Sequence, residues 1–196
     1  SRLLIYNRET GQIVHQRFSS LVEFLHPNDL IVINNTRVFP ARLLAKKVSG
    51  GAAELLLLRP IQRKSENDKE DTFFWEALVK GSITSSTRLT LNGGGAARLV
   101  RDLGEGRKEI ALELPSGDGI YPYLKKWGEV PLPPYILRRR KEEGVSSDHD
   151  DVDRYQTVYA KHVGSAAAPT AGLHFTKRMM TAVQQNGVNL ATVTLH

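Results

Sequence analysis

Glu54-Leu55-Leu56-Leu57-Leu58-Arg59 is a short apolar run closed at each end by a charge. It is far too short to span a bilayer. Its surroundings decide how it folds. Downstream lie further strand candidates at Phe73–Lys80, Arg88–Leu91, Ala97–Asp102 and Lys108–Leu114. Turn signals separate them at Lys64–Glu70, Gly93-Gly94-Gly95 and Asp102–Gly106. Several short strands at close spacing, joined by such turns, predict a small barrel or sandwich. Residues 48–117 therefore read as an all-β segment.

On either side the pattern mixes helix and strand. Leu3–Tyr6 and Ile13–Phe18 read as a hairpin around Asn7–Gly11. Ser20-Leu-Val-Glu23 has the form of a capping box opening a short helix with Leu21, Phe24 and Leu25, stopped by Pro27-Asn28-Asp29. Leu30–Ile33 is apolar at consecutive positions, the pattern of a strand covered on both faces. Asn34–Arg42 leaves it as a polar loop, the place where α/β folds commonly hold their chemistry. Beyond Gly117, Tyr121–Trp127 reads as a short helix. The prolines of Glu129–Ile136 predict extended chain, and the charged stretch Arg138–Asp151 predicts a surface loop. Thr176 is the expected N-cap of a helix over Lys177–Asn186 with Gly187 at C′, followed by a strand over Val188–Leu195. The expected fold is thus an α/β (α+β) main domain, discontinuous and incomplete over 1–47 and 118–196, interrupted by an inserted small all-β barrel domain over 48–117. Ser1 leads almost directly into a strand and His196 sits at the edge of another, so both ends are expected to be truncated.

Composition narrows the chemistry. The 196 residues are 40% hydrophobic and 24% charged, ordinary values for a globular protein. Lys and Arg exceed Asp and Glu by 27 to 21, a formal charge of +6 that favours polyanionic partners only weakly by itself. The absence of cysteine removes disulfides, thiolate nucleophiles and sulfur-based zinc sites, and fits a reducing, cytoplasmic setting. The N-terminus has no signal-peptide pattern. Gly164-Ser165-Ala-Ala lacks the second glycine of a nucleophile elbow. Phosphate-loop and dinucleotide glycine motifs are missing, and the six histidines have no metal-ligand spacing, so no metal is expected.

Four stretches carry a specific resemblance. They are Asp29-Leu-Ile-Val-Ile-Asn-Asn-Thr-Arg37-Val-Phe-Pro-Ala-Arg42-Leu, Gly128-Glu-Val-Pro-Leu-Pro-Pro-Tyr-Ile136, Arg154-Tyr-Gln-Thr-Val-Tyr-Ala160 and Gly164-Ser-Ala-Ala-Ala-Pro-Thr-Ala-Gly-Leu-His-Phe-Thr176. In this order, with Val193-Thr-Leu-His196 behind them, they resemble the S-adenosylmethionine:tRNA ribosyltransferase-isomerase family of queuosine biosynthesis. Asn35, Ala166 and the length of the charged loop depart from the family pattern, and family chains extend beyond both ends of this one. The resemblance implies an α/β domain interrupted by an all-β domain. It implies a monomeric cytoplasmic enzyme with no cofactor and no membrane association, using S-adenosylmethionine as co-substrate. The ribosyl portion would move to 7-aminomethyl-7-deazaguanine at the tRNA wobble position, releasing adenine and methionine and leaving an epoxycyclopentane.

That chemistry starts with proton removal beside the sulfonium, whose charge stabilises the carbanion. It requires a general base and an acid for adenine. His174 is the first candidate for acid or base, because imidazole titrates nearest neutral pH. It stands before a helix start, where backbone N–H groups favour an anion. Pro169, Thr170 and Gly172 belong to the same motif, Gly172 permitting close backbone approach or a positive φ. The competing reading is a histidine packed between Leu173 and Phe175. His196 is a second catalytic candidate, or a strand-end histidine in water. Arg37, also a catalytic candidate, and Arg42 offer forked donors for carboxylate or phosphate, or form surface ion pairs. Asn34 and Thr36 would read adenine or ribose, or cap a turn. Tyr155, Gln156, Thr157 and Tyr159 form a polar-aromatic cluster suited to a nucleobase, or pack as a half-buried strand. Trp127 is a candidate to face the sulfonium, or is a core tryptophan, the commoner case. Lys46, Lys47, Lys125, Lys126, Arg138, Arg139, Arg140, Lys141, Lys177 and Arg178 are candidate tRNA phosphate contacts, or a solvated face. A non-catalytic RNA-binding module and an ordinary methyltransferase are the alternatives. The former predicts salt-dependent RNA binding without consumption of S-adenosylmethionine, the latter S-adenosylhomocysteine as product.

Overall fold

The computed structural model describes residues 1–63, 71–115, 117, 119–144 and 151–195. The predicted turn at Lys64–Glu70, residues 145–150 of the predicted charged loop, and His196 lie outside the described residues. The chain forms two compact units. One comprises Ser1–Arg37, Gln156–His162 and Ala168–Leu195, the other Val38–Tyr155 and Val163–Ala167.

The first unit opens with the predicted hairpin. Strands β1 (Arg2–Tyr6) and β2 (Ile13–Arg17) pair antiparallel, Arg2 opposite Arg17 and Tyr6 opposite Ile13. The Asn7 carboxamide accepts the Glu9 and Thr10 amides and fixes the turn. The predicted capping box does not form. A 3-10 helix runs directly off β2 over Phe18–Phe24 without a side-chain cap, so Ser20 lies inside the turn instead of at its start. Asn28 closes this segment with φ near 74°, a conformation that asparagine tolerates. Strand β3 (Leu30–Asn34) then pairs in parallel with β12 (Asn189–Val193), Leu30 beside Asn189 and Asn34 beside Val193. The expectation of a strand covered on both faces is corrected. Ile33 is buried, but Leu30 and Val32 are 59% and 57% exposed, so burial follows the two-residue period of a strand with one covered face.

Helix α4 (Lys177–Gln185) connects to β12 as the sequence predicts. The Thr176 hydroxyl accepts the Met179 amide at 3.2 Å, satisfying one of the free N–H groups of the first turn. Gly187 follows with φ near 77°. Thr176→Ala is expected to cost about 1 kcal/mol, measured as a lowered thermal midpoint. An unchanged midpoint would show that the cap contributes nothing.

The second unit is built on a closed antiparallel barrel. Its strands are β5 (Arg42–Lys47), β6 (Ala52–Pro60), β7 (Thr72–Lys80), β8 (Arg88–Leu91), β9 (Ala96–Gly104) and β10 (Arg107–Glu113). The order around it is β10-β7-β6-β5-β8-β9, and β9 pairs with β10 to close the ring. Closure leaves no open edge. Five strands match the predicted ones; β5 is additional. Leu43 and Ala45 alternate inward while Leu44 and Lys46 point out, and they join Leu55, Leu57, Leu89, Ile110 and Leu112 in the core. Helix α1 (Ile120–Trp127) adds Ile120, Tyr123 and Leu124 to that core. The Tyr123 hydroxyl donates to the Asn92 carbonyl, and burial pushes its pKa upward.

Helix α2 (Pro134–Glu143) corrects two expectations, since extended chain was predicted to Ile136 and a loop after Arg138. Only the part through Pro133 is extended. Pro134 occupies the first helical position, where a missing N–H costs nothing. Gly144, with φ near 67°, ends the helix, and Arg139 pairs with Glu143 one turn on at 2.8 Å. The charge run is therefore largely a solvated helix. Helix α3 (Asp151–Arg154) follows, with Asp151 holding Arg140 through both guanidinium Nη groups. The chain passes between the two units within β4 (Thr36–Val38), between Tyr155 and Gln156, within β11 (His162–Ser165), and between Ala167 and Ala168. Among the described residues no helix is long and apolar enough to cross a membrane.

Candidate active site

In the first unit, the parallel pairing of β3 and β12 brings two strand C-termini side by side, the edge at which open α/β sheets present polar loops. Asn34 Oδ1 accepts the amides of Thr36 (3.1 Å) and Leu195 (3.3 Å). Asn35 Oδ1 accepts the Thr194 hydroxyl at 2.7 Å, and its carbonyl accepts the amides of Lys161 and His162. These asparagines fasten the two strand ends and the 161–162 segment together. Thr36 is only 1% exposed, so it stands beneath this edge, whereas Arg37 is exposed.

The Pro169–Phe175 motif forms a second cluster in the same unit. Thr170–His174 is a 3-10 helix, and Phe175 leaves it extended. Gly172 is buried where a side chain has no room, because a Cβ would lie 2.1 Å from the Tyr159 hydroxyl and 2.8 Å from the Thr157 methyl. The sequence reading of Gly172 as a close-approach position holds, but the neighbours are this chain's own side chains. Phe175 meets Tyr159 and Phe18 edge-on, at centroid distances of 6.4 and 5.2 Å. Burial raises the Tyr159 phenol pKa. Thr157 is buried, and among the described residues its hydroxyl has no hydrogen-bond partner. A buried hydroxyl without a partner is costly.

His174 projects from this packed motif. Its ring lies 5.1 Å from that of Phe18, and Nδ1 shares a 2.9 Å hydrogen bond with Ser1 Oγ. The side chain is exposed and lines an open cavity of about 630 Å³ with Arg17, Phe18, Val22, Arg178 and Met179. The reading of His174 as a residue packed between Leu173 and Phe175 is replaced by one in which Phe175 turns inward and His174 borders open space. Thr176, the α4 cap, also lines the cavity, so the first turn of α4 opens onto it. An imidazole, a guanidinium, a helix start and an apolar wall can hold a ligand with one anionic and one apolar part. Pro169 and Thr170 stand on the motif beside it, and Lys177 is exposed on α4. Asn34, Thr36 and Arg37 do not line this cavity. Arg17, Phe18 and Ser1 carry no local signal in the sequence, because only the fold returns the hairpin to α4.

Most of the remaining candidates belong to the second unit. Arg42 is spent on its own chain, with two guanidinium nitrogens 2.9 Å from the two oxygens of Glu54 and a third 3.7 Å from Glu129. Lys46 is exposed and Lys47 half-buried on β5, while Arg138 and Arg139 are exposed on α2. Tyr155 is buried after α3. In the first unit, Gln156 and Thr157 begin an irregular turn, where a strand was the competing reading. Trp127 occupies the space beside Gly93, whose Cβ would be 2.2 Å from the indole nitrogen, and Lys126 lies 5.2 Å over its ring. Among the described residues no three His, Cys, Asp or Glu side chains converge as a metal site.

A model of the family described as "Queuosine biosynthesis protein" matches residues 1–196. A protein of Clostridioides difficile named S-adenosylmethionine:tRNA ribosyltransferase-isomerase is 43% identical over the whole chain and 53% of its own length. Relatives of the same name from Desulfotalea psychrophila and Staphylococcus aureus are 38% and 42% identical, with the same coverage. The chain thus spans about half the length of the curated relatives it matches. A crystal structure of an S-adenosylmethionine tRNA ribosyltransferase from Thermotoga maritima is 23% identical over the whole chain and half of that one, with a TM-score of 0.32.

Proposed function

The chain belongs to the queuosine biosynthesis protein family, and from that premise we propose that it is part of an S-adenosylmethionine:tRNA ribosyltransferase-isomerase. The observation that carries this reading is identity of 38–43% to proteins of that name along its entire length. The substrates are S-adenosylmethionine and a tRNA whose wobble base is 7-aminomethyl-7-deazaguanine. The ribosyl group moves to the aminomethyl nitrogen and rearranges to an epoxycyclopentane, while adenine and methionine depart. The enzyme acts in the cytoplasm as a monomer and needs neither metal nor further cofactor. The barrel is a domain inserted into an α/β domain.

Within this reading the cavity at the start of α4 receives S-adenosylmethionine. Arg178 and the α4 amide groups suit its carboxylate. Phe18, Val22 and Met179 give an apolar wall, and Phe18 is an aromatic face near which a sulfonium is stabilised. His174 borders the cavity and moves a proton, either from carbon beside the sulfonium or to departing adenine. The β3/β12 edge, with Asn34 and Arg37, contacts the nucleoside or the RNA.

The test is adenine release by the full-length protein. Release that requires both S-adenosylmethionine and tRNA carrying the aminomethyl base is expected. Production of S-adenosylhomocysteine instead, or RNA binding with no adenine release, would overturn the assignment.

A further inference from the structure

Four adjacent barrel strands, β6, β7, β10 and β9, carry a row of charges in direct register. Arg59 stands opposite Glu76, Glu76 opposite Glu109, and Glu109 opposite Arg101. The residues flanking the two glutamates in sequence, Trp75, Ala77 and Ile110, point into the core. By strand alternation the row lies on the outer face. Two carboxylates side by side repel unless cations cover them, and here both are buried, at 6% and 1% side-chain exposure. Arg59 Nε lies 2.7 Å from Glu76, and Arg107 Nη1 lies 3.3 Å from it. Glu109 takes Arg101 Nε and, at 3.1 Å, Arg63 Nη1.

The arginines lie over the carboxylates and remain open to solvent, with Arg59, Arg101 and Arg63 at 68%, 66% and 47% side-chain exposure. Arg107 gives a second N–H to Glu105, and Lys108 pairs with Asp102, so these charges cancel locally. Arg59, Arg63 and Arg101 each use one N–H on a glutamate. A guanidinium has five N–H donors, which leaves most of each fork for an outside acceptor. Arg63 is further set by lying 5.2 Å over the Phe74 ring. Packing alone does not call for this arrangement, since apolar side chains can replace a buried ion pair without loss of stability. Its effect is to hold guanidinium groups in place before any partner arrives, which lowers the ordering cost of binding. Beside the row lies a hollow of about 630 Å³ lined by Gln62, Arg63, Phe73 and Tyr121. Cations next to an aromatic hollow suit a phosphate together with its base, which an acidic protein would not supply.

We propose that this outer face of the barrel binds the phosphodiester backbone of RNA through Arg59, Arg63 and Arg101, and that the aromatic hollow receives an adjoining base. The inference rests on the reading of the chain as a tRNA-modifying enzyme and names a surface for that partner.

The experiment compares full-length wild type with Arg59→Gln/Arg101→Gln, titrating tRNA at several salt concentrations. Each lost phosphate contact reduces the log–log salt slope by roughly 0.7–0.9, so the double variant is expected to lose about 1.5. Its dissociation constant should rise roughly tenfold or more at low salt, as follows from that same counterion term, with the KM for S-adenosylmethionine unchanged. An unchanged slope in a folded variant would overturn the proposal. A second measurement needs no variant: tRNA should slow phenylglyoxal modification of Arg59, Arg63 and Arg101 in wild type, read by peptide mass. Equal modification with and without tRNA, or protection by polyglutamate but not by tRNA, overturns it as well. Absence of adenine release by wild type is a separate result that would remove the enzymatic reading instead.

Discussion

His174→Ala is expected to lower the turnover number for adenine release by roughly 10²–10⁴-fold, the range for loss of a positioned acid or base. The expectation follows from placement: the imidazole is exposed, borders the cavity at the start of α4, and lies against Phe18. Because the side chain is outside the core, the thermal midpoint should change little. The two readouts separate proton transfer from packing. A purely structural histidine would lower stability and leave turnover per folded molecule intact, and that outcome would remove His174 from the mechanism. A rise in KM for S-adenosylmethionine with constant turnover would instead make it a binding residue.

Gly128→Ala is expected to be the most damaging small substitution in the barrel unit. Gly128 follows α1 and donates to the Leu124 carbonyl at 2.8 Å. An added Cβ would sit 2.2 Å from the Pro40 carbonyl oxygen and 2.6 Å from that of Leu124. Both obstacles are backbone, so no rotamer change relieves them. Overpacking typically costs 1–3 kcal/mol, and this site belongs at the upper end, about 3 kcal/mol. For a chain of this size that corresponds to a fall of roughly 6–12 °C in thermal midpoint. Gly50→Ala is the comparison, since nothing lies within 4 Å of its Cβ and only its φ near 89° opposes the change. Its cost should be nearer 1 kcal/mol. A Gly128→Ala midpoint equal to that of Gly50→Ala would show that the α1 end yields easily.

These sites also mark how far sequence reasoning reaches. The barrel strands were legible because one face of each is buried, as the alternation of Leu55 and Leu57 with Leu56 and Leu58 shows in β6. β5 was hidden because the polar loop was read through Arg42 and the charges of Lys46 and Lys47 obscure the alternation of Leu43 and Ala45, both core residues. Helix α2 carried a readable start and stop in Pro134 and Gly144, but the proline cluster and charge density outweighed them. At the site, the motif around Gly172 announced a close approach, and the structure fills it with Tyr159 and Thr157. Which residues stand beside His174 was not legible, because Phe18 and Ser1 reach it only through the return of the hairpin. The row from Arg59 to Arg101 depends on register across four strands, which no local pattern encodes.

The parallel partnership of β3 with β12 joins Leu30–Asn34 to Asn189–Val193, on either side of the barrel strands, whereas every barrel pairing closes between Arg42 and Glu113. During ribosomal synthesis β3 must wait, its edge unmatched by β12, until the barrel and the segment after it have been made. The barrel can meanwhile complete its ring. Nascent chains thus carry a finished cylinder before the residues around His174 can be assembled, and a ribosome that stalls between the barrel and β12 leaves an apolar strand looking for a mate.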